Sequence, residues 1–518
     1  MPEATSGAAA PSVDVEALAE TDAATIERAK LRRHLGRVDV LLFLLCTLIG
    51  LDTIGSVASY GGQAITWLLV LVLVFYVPSA LLISELAAAF PAEGGPYVWT
   101  RMAFGHLAGA VNNILYWVSN PVWLGGTLTI TAVSTVQQFY LGGKSLGEIW
   151  FYLFALGFIW VGIVSAVLSM SLGKYVTSAG ALVRVVLLSF FVVTVGIYAI
   201  KHGFHGIHAG DLRPSWAVFL ALTPVLLFNF VGFDVPSSAA EEMQDPQRDV
   251  PIGILRGGIG AVLGYILPVV GILTVLPTSS VTGLTGFTDA MRAAFTVYGG
   301  HIAADGTVTL TGAGSVIADI VAAAFLLALL TSAVPWLMGS DRALAVSGYD
   351  GAAPRSLGVI SARFGTPVRV NVLSGIVAST VCVLAHELSG SAAKYFAAVL
   401  ALALSTTLLS YLGILPAALV LRRKLPEAER PYRVPGGKPV VVLCVVATVS
   451  LLLLGAITLI YPGFATDWLT GANVDDALPR GWAGQRGAYT LSQVIPLVGF
   501  LLLGVAFYFA GRRTRAAD

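Results

Sequence analysis

Phe230-Val231-Gly232-Phe233-Asp234-Val235-Pro236 interrupts an apolar run that is otherwise long enough to cross a bilayer. Gly232 permits backbone that other residues resist, Pro236 removes an amide donor, and Asp234 sets a carboxyl among hydrocarbon. A second stretch, Gly50-Leu51-Asp52-Thr53-Ile54-Gly55, breaks the first apolar run in the same way. Either alone also reads as an ordinary glycine kink; the pair says more. Counted along the chain these are the first and sixth runs, equivalent places if runs one to five and six to ten form two halves. Transporters built from inverted repeats hold their solute at mid-membrane, between helices interrupted in corresponding positions. The N–H and C=O groups freed at each break would bind the ends of a polar solute, with the helix dipoles adding to the field.

The rest of the chain agrees with a membrane protein. Hydrophobic residues make up 56% of the 518 and charged ones 11%, far from the balance of a soluble domain. The apolar runs must be helices, because hydrocarbon offers backbone groups no water. Hydropathy predicts about twelve spans, at 40–60, 64–90, 109–139, 149–170, 177–200, 215–240, 252–276, 315–338, 370–386, 395–421, 439–461 and 491–510. Of the 30 Lys and Arg, 22 fall on the side of the N-terminus, 7 on the other, and Arg184 inside a span. That bias puts both termini in the cytoplasm, with the chain in the cytoplasmic membrane.

Residues 1–37 read as a disordered cytoplasmic tail with no cleavable signal, 38–510 as one transmembrane domain and 511–518 as a second tail. The loops at 278–314 and 462–490 lack the regularity of domains, and 341–369 predicts a short helix along the membrane surface. Cys46, Cys382 and Cys444 lie in apolar runs and read as packing residues. The histidines of Lys201-His202-Gly203-Phe204-His205-Gly206-Ile207-His208 read as a solvated loop. A net charge of +1 gives no sign of nucleic-acid binding. No metal or cofactor motif, ATP-binding loop or clustered acid–base set points to an enzyme or a primary pump.

The segment from Phe228 to Pro251, with Glu241, Glu242 and Asp245-Pro246-Gln247-Arg248-Asp249-Val250-Pro251, resembles the sixth helix and following loop of the amino acid–polyamine–organocation superfamily. Glu85 to Pro91 with Gly94-Gly95-Pro96-Tyr97 and Ala103-Phe104-Gly105 is similar to its loop between helices two and three. The run from Trp336 through Asp341-Arg342, Gly351 and Pro354 to Gly365-Thr366-Pro367 is similar to its helix-eight loop. The resemblance covers about 40–421. It implies an all-α membrane protein with the leucine-transporter-type fold. Repeat one would be 38–200, repeat two 215–421, and two added helices 439–510, with a possible homodimer. It further implies a permease or antiporter of amino acids or amines that works by alternating access, driven by protons or by exchange.

Carried over by position, Phe228 matches an aromatic gate, Trp336 an aromatic near the substrate, and Asp234 an acidic residue implicated in proton response. Trp117 matches a Tyr-Trp position of helix three, with Asn120, Trp123 and Leu124 onward. The candidate substrate contacts are thus Gly50, Leu51, Asp52, Thr53, Gly55, Asn120, Trp123, Phe228, Phe230, Val231, Gly232, Phe233 and Trp336. The departures are informative. Where the superfamily receives a carboxylate on Gly-Ser-Gly amides, this chain reads Gly50-Leu51-Asp52, and one carboxylate repels another unless it is neutralised. An amine or polyamine thereby gains ground over an α-amino acid. Asp52 has three readings: it binds a substrate ammonium, carries a proton, or pairs with Arg184. Related proton-driven carriers have a basic residue in place of sodium between helices one, five and eight. Arg184 is either that cation mimic or a side chain snorkelling to the inner surface. Asp319 reads as a mouth charge and Glu85 as structural, tied to the loop after span two.

Overall fold

The computed structural model describes residues 36–203, 207–464, 477–479 and 481–512, with the side chains of 169–174 left out of that description. His205 and most of the two tails therefore lie outside the described residues.

The chain is an all-α bundle. Nine stretches among the described residues are long and apolar enough to cross a membrane, from Gln63–Ala89 to Arg486–Ala510. The three remaining predicted spans, 40–60, 109–139 and 215–240, include the two whose helices break off. The first is split into α1 (Arg37–Leu48) and α2 (Ile54–Ala58). The second span is α3 (Gln63–Ala89), and after a short α4 (Gly95–Phe104) comes α5, residues 106–139. Helix α5 widens to a π turn at Leu124–Leu128, where Gly126 leaves helical backbone. Helix α6 (Glu148–His202) holds spans four and five. The sixth span is split into α7 (Trp216–Asn229) and a 3-10 segment, Val235–Glu242. There follow α8 (Pro246–Val275), α9 (Gly286–Phe295) and a small antiparallel hairpin, β1 (Gly300–Ile302) with β2 (Val308–Leu310). The bundle closes with α10 (Ala313–Tyr349), α11 (Val368–Ser389), α12 (Ala392–Lys424), α13 (Gly437–Ile460) and α14 (Arg486–Ala510).

The broken helices form the centre, and the unbroken ones wrap them. Helix α1 packs on α8 and α6, α5 on α12 and α10, and α7 on α13 and α12. We call the side where α1 begins the near face and the other the far face.

The far loop is more regular than the sequence suggested, since it contains α9 and the hairpin. Its backbone presses on the first span: a Cβ on Gly55 would lie 2.8 Å from the Gly283 carbonyl oxygen. Asp289 of α9 accepts a hydrogen bond of 2.5 Å from Gln138 at the end of α5.

At the near face, the predicted surface helix at 341–369 is replaced by an extension of α10 to Tyr349, with Asp341 and Arg342 fully buried. Their charges are compensated there. Arg342 bridges Glu242 at 3.0 Å and Glu93 at 3.1 Å. Asp341 accepts from Trp117, Asn371 and Ser374. Burial, with Glu242 alongside, holds the Glu93 carboxyl well above the usual carboxylate range. Arg101 bridges Asp350 at 2.5 Å nearby.

Glu85 is structural, but it ties a different loop from the one expected. It pairs with Arg422 in the last turn of α12 and with Arg430 after it, and accepts the Val434 amide at 2.8 Å. Breaking a buried pair strands the surviving charges, so Glu85→Gln is expected to destabilise the protein by about 3 kcal/mol. A lowered melting temperature in detergent would register this; an unchanged one would show that the loop holds without the pair.

Candidate functional site

The first helix ends at Ile49 in extended backbone. The break that follows is held from α8: the Gly50 amide donates to the Tyr265 hydroxyl at 2.9 Å. The second break is held the same way from α12, where the Gly232 amide donates to the Tyr411 hydroxyl at 2.9 Å. The breaks also touch each other, since the Thr53 hydroxyl donates to Asn229 Oδ1 at 2.8 Å.

Each break presents a carboxylate two residues after its glycine. Asp52 is 2% exposed; its Oδ2 accepts from Trp123 Nε1 and from Thr127, both at 2.8 Å, while Oδ1 has no partner. Trp123 and Thr127 are four residues apart on α5, which brings both side chains to the same oxygen. Asp234 is fully buried; its Oδ1 accepts from Tyr411 and its Oδ2 has no partner, with Tyr116 beside it. Asn229 Nδ2 is a third buried polar atom without a partner.

Three aromatic rings surround these groups. Trp123 stands edge-to-face with Phe228 at 6.1 Å and with Trp336 at 6.3 Å. The Trp336 indole N–H donates to the Thr47 carbonyl, freed by the end of α1, at 3.1 Å. Its ring lies against bare backbone: a Cβ on Gly232 would come within 2.8 Å of it, and Gly232 has φ +114°. Beyond Phe228, a cavity of about 790 Å³ lies towards the far face, between Ser56, Tyr60, Pro224, Phe396 and Leu404. Pro224 stands one turn before Phe228.

Other candidates fall elsewhere. Phe230 and Phe233 turn their rings to Tyr76, at 5.2 and 4.8 Å, so they offer the centre only backbone. Val231 and Leu51 are buried within the breaks. Gly55 is covered by the far loop. Asn120 donates to the Tyr116 carbonyl of its own helix at 3.1 Å.

Arg184 is fully buried and does not snorkel. Its guanidinium donates to Cys46 Sγ on α1 (2.9 Å), to the Ala328 carbonyl on α10 (2.7 Å), and to Ser332. It thus stands between spans one, five and eight, and among the described residues no ion pair joins it to Asp52.

Sequence reading missed Tyr265, Tyr411, Thr127 and Asn229. No local signal singled them out: Tyr411, for one, shares its span with Tyr395 and a run of Ser and Thr.

The profile of the amino acid permease family matches residues 35–473. The chain belongs to the amino acid permease family. It is 29% identical over 402 residues to the "Probable agmatine/putrescine antiporter AguD" of Lactococcus lactis, covering 76% of this chain and 81% of that one. It is 24% identical over 466 residues to the branched-chain amino acid permease BcaP of Bacillus subtilis, covering 85% and 91%. Among solved structures, the manganese transporter of Eremococcus coleocola superposes with a TM-score of 0.54 at 12% identity, covering 92% of this chain and 95% of that one. That likeness concerns the fold alone. The protein is therefore a multi-pass membrane transporter of amino acids or amines, not an enzyme.

Because Gly232 is needed both for its positive φ and for the approach of Trp336, Gly232→Ala is expected to lower transport about tenfold or more while the protein still inserts. Counterflow normalised to purified protein would measure it, and wild-type rates would mean that Trp336 need not lie on the break.

Proposed function

We propose that the protein is a secondary active transporter of small organic amines, working by alternating access in the cytoplasmic membrane with both termini inside. Residues 38–200 and 215–421 form its two inverted repeats of five spans each, and 439–510 add two more. The observation that carries the substrate reading is Asp52: a buried carboxylate at the first break with one oxygen unpartnered and, among the described residues, no cation paired with it. An ammonium completes such a group, whereas a substrate carboxylate at the same place meets like charge in a low dielectric. Trp123, Phe228 and Trp336 add aromatic walls suited to a cation by cation–π attraction. The relationship to an agmatine/putrescine antiporter supports the same reading.

The near-face ion pairs hold that side shut, and the cavity beyond Phe228 lies on the entry path from outside. Arg184 supplies a fixed positive charge between spans one, five and eight, so no sodium ion is required. Uptake is expected to be equal in sodium and potassium buffers; a sodium requirement would overturn this role.

Asp234, with Tyr116 and Tyr411 as the titratable groups facing it, takes a proton when the site is empty. Asp234→Asn is expected to flatten the pH profile of transport, and an unchanged profile would remove the proton role.

The substrate reading is tested by loading proteoliposomes with single unlabelled amines or amino acids and measuring counterflow of the labelled compound. Accumulation of amines, lost on Asp52→Asn, is the expected result. Accumulation confined to zwitterionic amino acids would show that Asp52 is neutralised in place and would make the protein an amino acid carrier.

A further inference from the structure

Two carboxylates approach one guanidinium at the near face. Arg342 of α10 donates to Glu242 of the 3-10 segment at 3.0 Å, and its Nε stands 3.1 Å from Glu93 Oε1 in the loop between α3 and α4. Glu93 is 3% exposed, and neither of its carboxyl oxygens has a hydrogen-bond partner. Among the described residues Arg342 is the one cation bridged to it. A third carboxyl stands close, since the Glu93 amide donates to Glu241 Oε1 at 3.3 Å. An ionised carboxylate buried this deeply needs hydrogen bonds to both oxygens, and a protonated one does not. Burial first, then Glu242 and Glu241, push the Glu93 carboxyl up against the pull of Arg342.

The same loop closes the near face. The Gly94 amide donates to the Ser238 carbonyl at 3.2 Å, and a Cβ on Gly95 would lie 3.0 Å from the Ser237 side chain. Gly94 has φ +73°, and a Cβ there would come within 2.7 Å of Val346 on α10. The loop, the 3-10 segment and α10 therefore meet at Glu93, and the near face opens only if they part.

From this arrangement we propose that Glu93 is a proton site of the near gate, separate from Asp234: protonated while the gate is closed, it gives its proton to cytoplasmic water on opening. The proposal rests on the alternating-access reading given above. The O–H bond of the carboxyl breaks, its electron pair stays on the carboxylate, and the proton leaves on water; closing reverses the step. The charged groups facing Glu93 are Glu241, Glu242 and Arg342. Elsewhere at this face Arg101 is bridged to Asp350, and Asp341 accepts from Trp117, Asn371 and Ser374. The closed state binds the proton more tightly, because opening returns Glu93 to water and towards the ordinary value of about 4.3. Acid therefore favours the closed gate. Between that ordinary value and the raised one, each unit rise in cytoplasmic pH favours opening by up to about tenfold.

The test uses inside-out vesicles and a membrane-impermeant maleimide, which reaches Ser238→Cys from the cytoplasmic side. Its rate is measured from about pH 5 to about pH 8 and divided by that of Glu427→Cys at an exposed position. The parent protein, whose Cys46, Cys382 and Cys444 are buried, supplies the blank. The relative rate is expected to rise with pH, approaching about tenfold per unit, and to keep rising in Asp234→Asn. Glu93→Gln is expected to label slowly and independently of pH. Glu242→Gln leaves Arg342 to Glu93 and is expected to flatten the rise although the Glu93 carboxyl is intact. A rise that persists in Glu93→Gln, or is lost in Asp234→Asn alone, would overturn the proton site and leave alternating access standing. Fast labelling of Glu93→Gln at every pH would also overturn it, by showing that Glu93 holds the fold rather than a proton. No labelling of Ser238→Cys at any pH would remove the alternating-access reading as well.

Discussion

The structure depends on how two interrupted helices satisfy their backbone where no water can reach. A buried amide without a partner costs several kcal/mol in hydrocarbon, and each break frees more than one. Gly50 and Gly232 solve this alike, each giving its N–H to a tyrosine from a distant span: Tyr265 of α8 and Tyr411 of α12. The carbonyl of Thr47 is taken by Trp336 of α10. Trp336, which repairs the first break, is also one of the aromatic walls of the site. Any motion that opens the breaks must exchange these bonds, which couples access to the state of the backbone itself.

Helix α5 solves a second problem. Trp123 and Thr127, four residues apart, share one face and both reach a single carboxylate oxygen, while the π turn at Leu124–Leu128 brings glycines to where α5 meets its neighbours. A Cβ on Gly125 would lie 2.0 Å from the Ala378 carbonyl oxygen, so no other residue fits where α5 meets α11. The Tyr395 hydroxyl donates to the Gly125 carbonyl that the turn leaves exposed. Leu124 opens this turn, and the polar group that reaches Asp52 comes three residues later as Thr127.

The membrane class, most spans and both breaks were legible because each rests on local chemistry: runs of apolar residues, and glycine with aspartate inside them. What was hidden depends on distance along the chain. Tyr265 and Tyr411 act on residues 215 and 179 positions away, and nothing in a local window marks them. Phe230 and Phe233 stand beside the glycine of the break, yet their rings point to Tyr76. Asp341 and Arg342 suggested a membrane-surface segment because charges end spans; the partners that let them stay buried come from spans three and nine, the 3-10 segment and the loop after α3. Arg184 was ambiguous between core and surface for the same reason, until Cys46, Ala328 and Ser332 were seen around its guanidinium.

The distribution of charge separates the gate from the site. At the near face, acid and base meet: Arg342 with Glu93 and Glu242, Arg101 with Asp350, Arg37 with Asp249. Such pairs offset their own desolvation and hold a closed surface together. At the centre the pattern reverses. Among the described residues, Asp52 and Asp234 are buried with hydrogen bonds but without cations, and Arg184 is buried with neutral partners and without an anion. A protein that only needed stability would pair these groups or replace them with apolar residues. Leaving Asp52 incomplete makes sense where the missing charge arrives with the cargo. The empty site must then take up protons or stay open to water, and a bound cation removes that need and allows closure. On the amine reading proposed above, Asp52 is completed by the substrate, and closing of the site then depends on its presence.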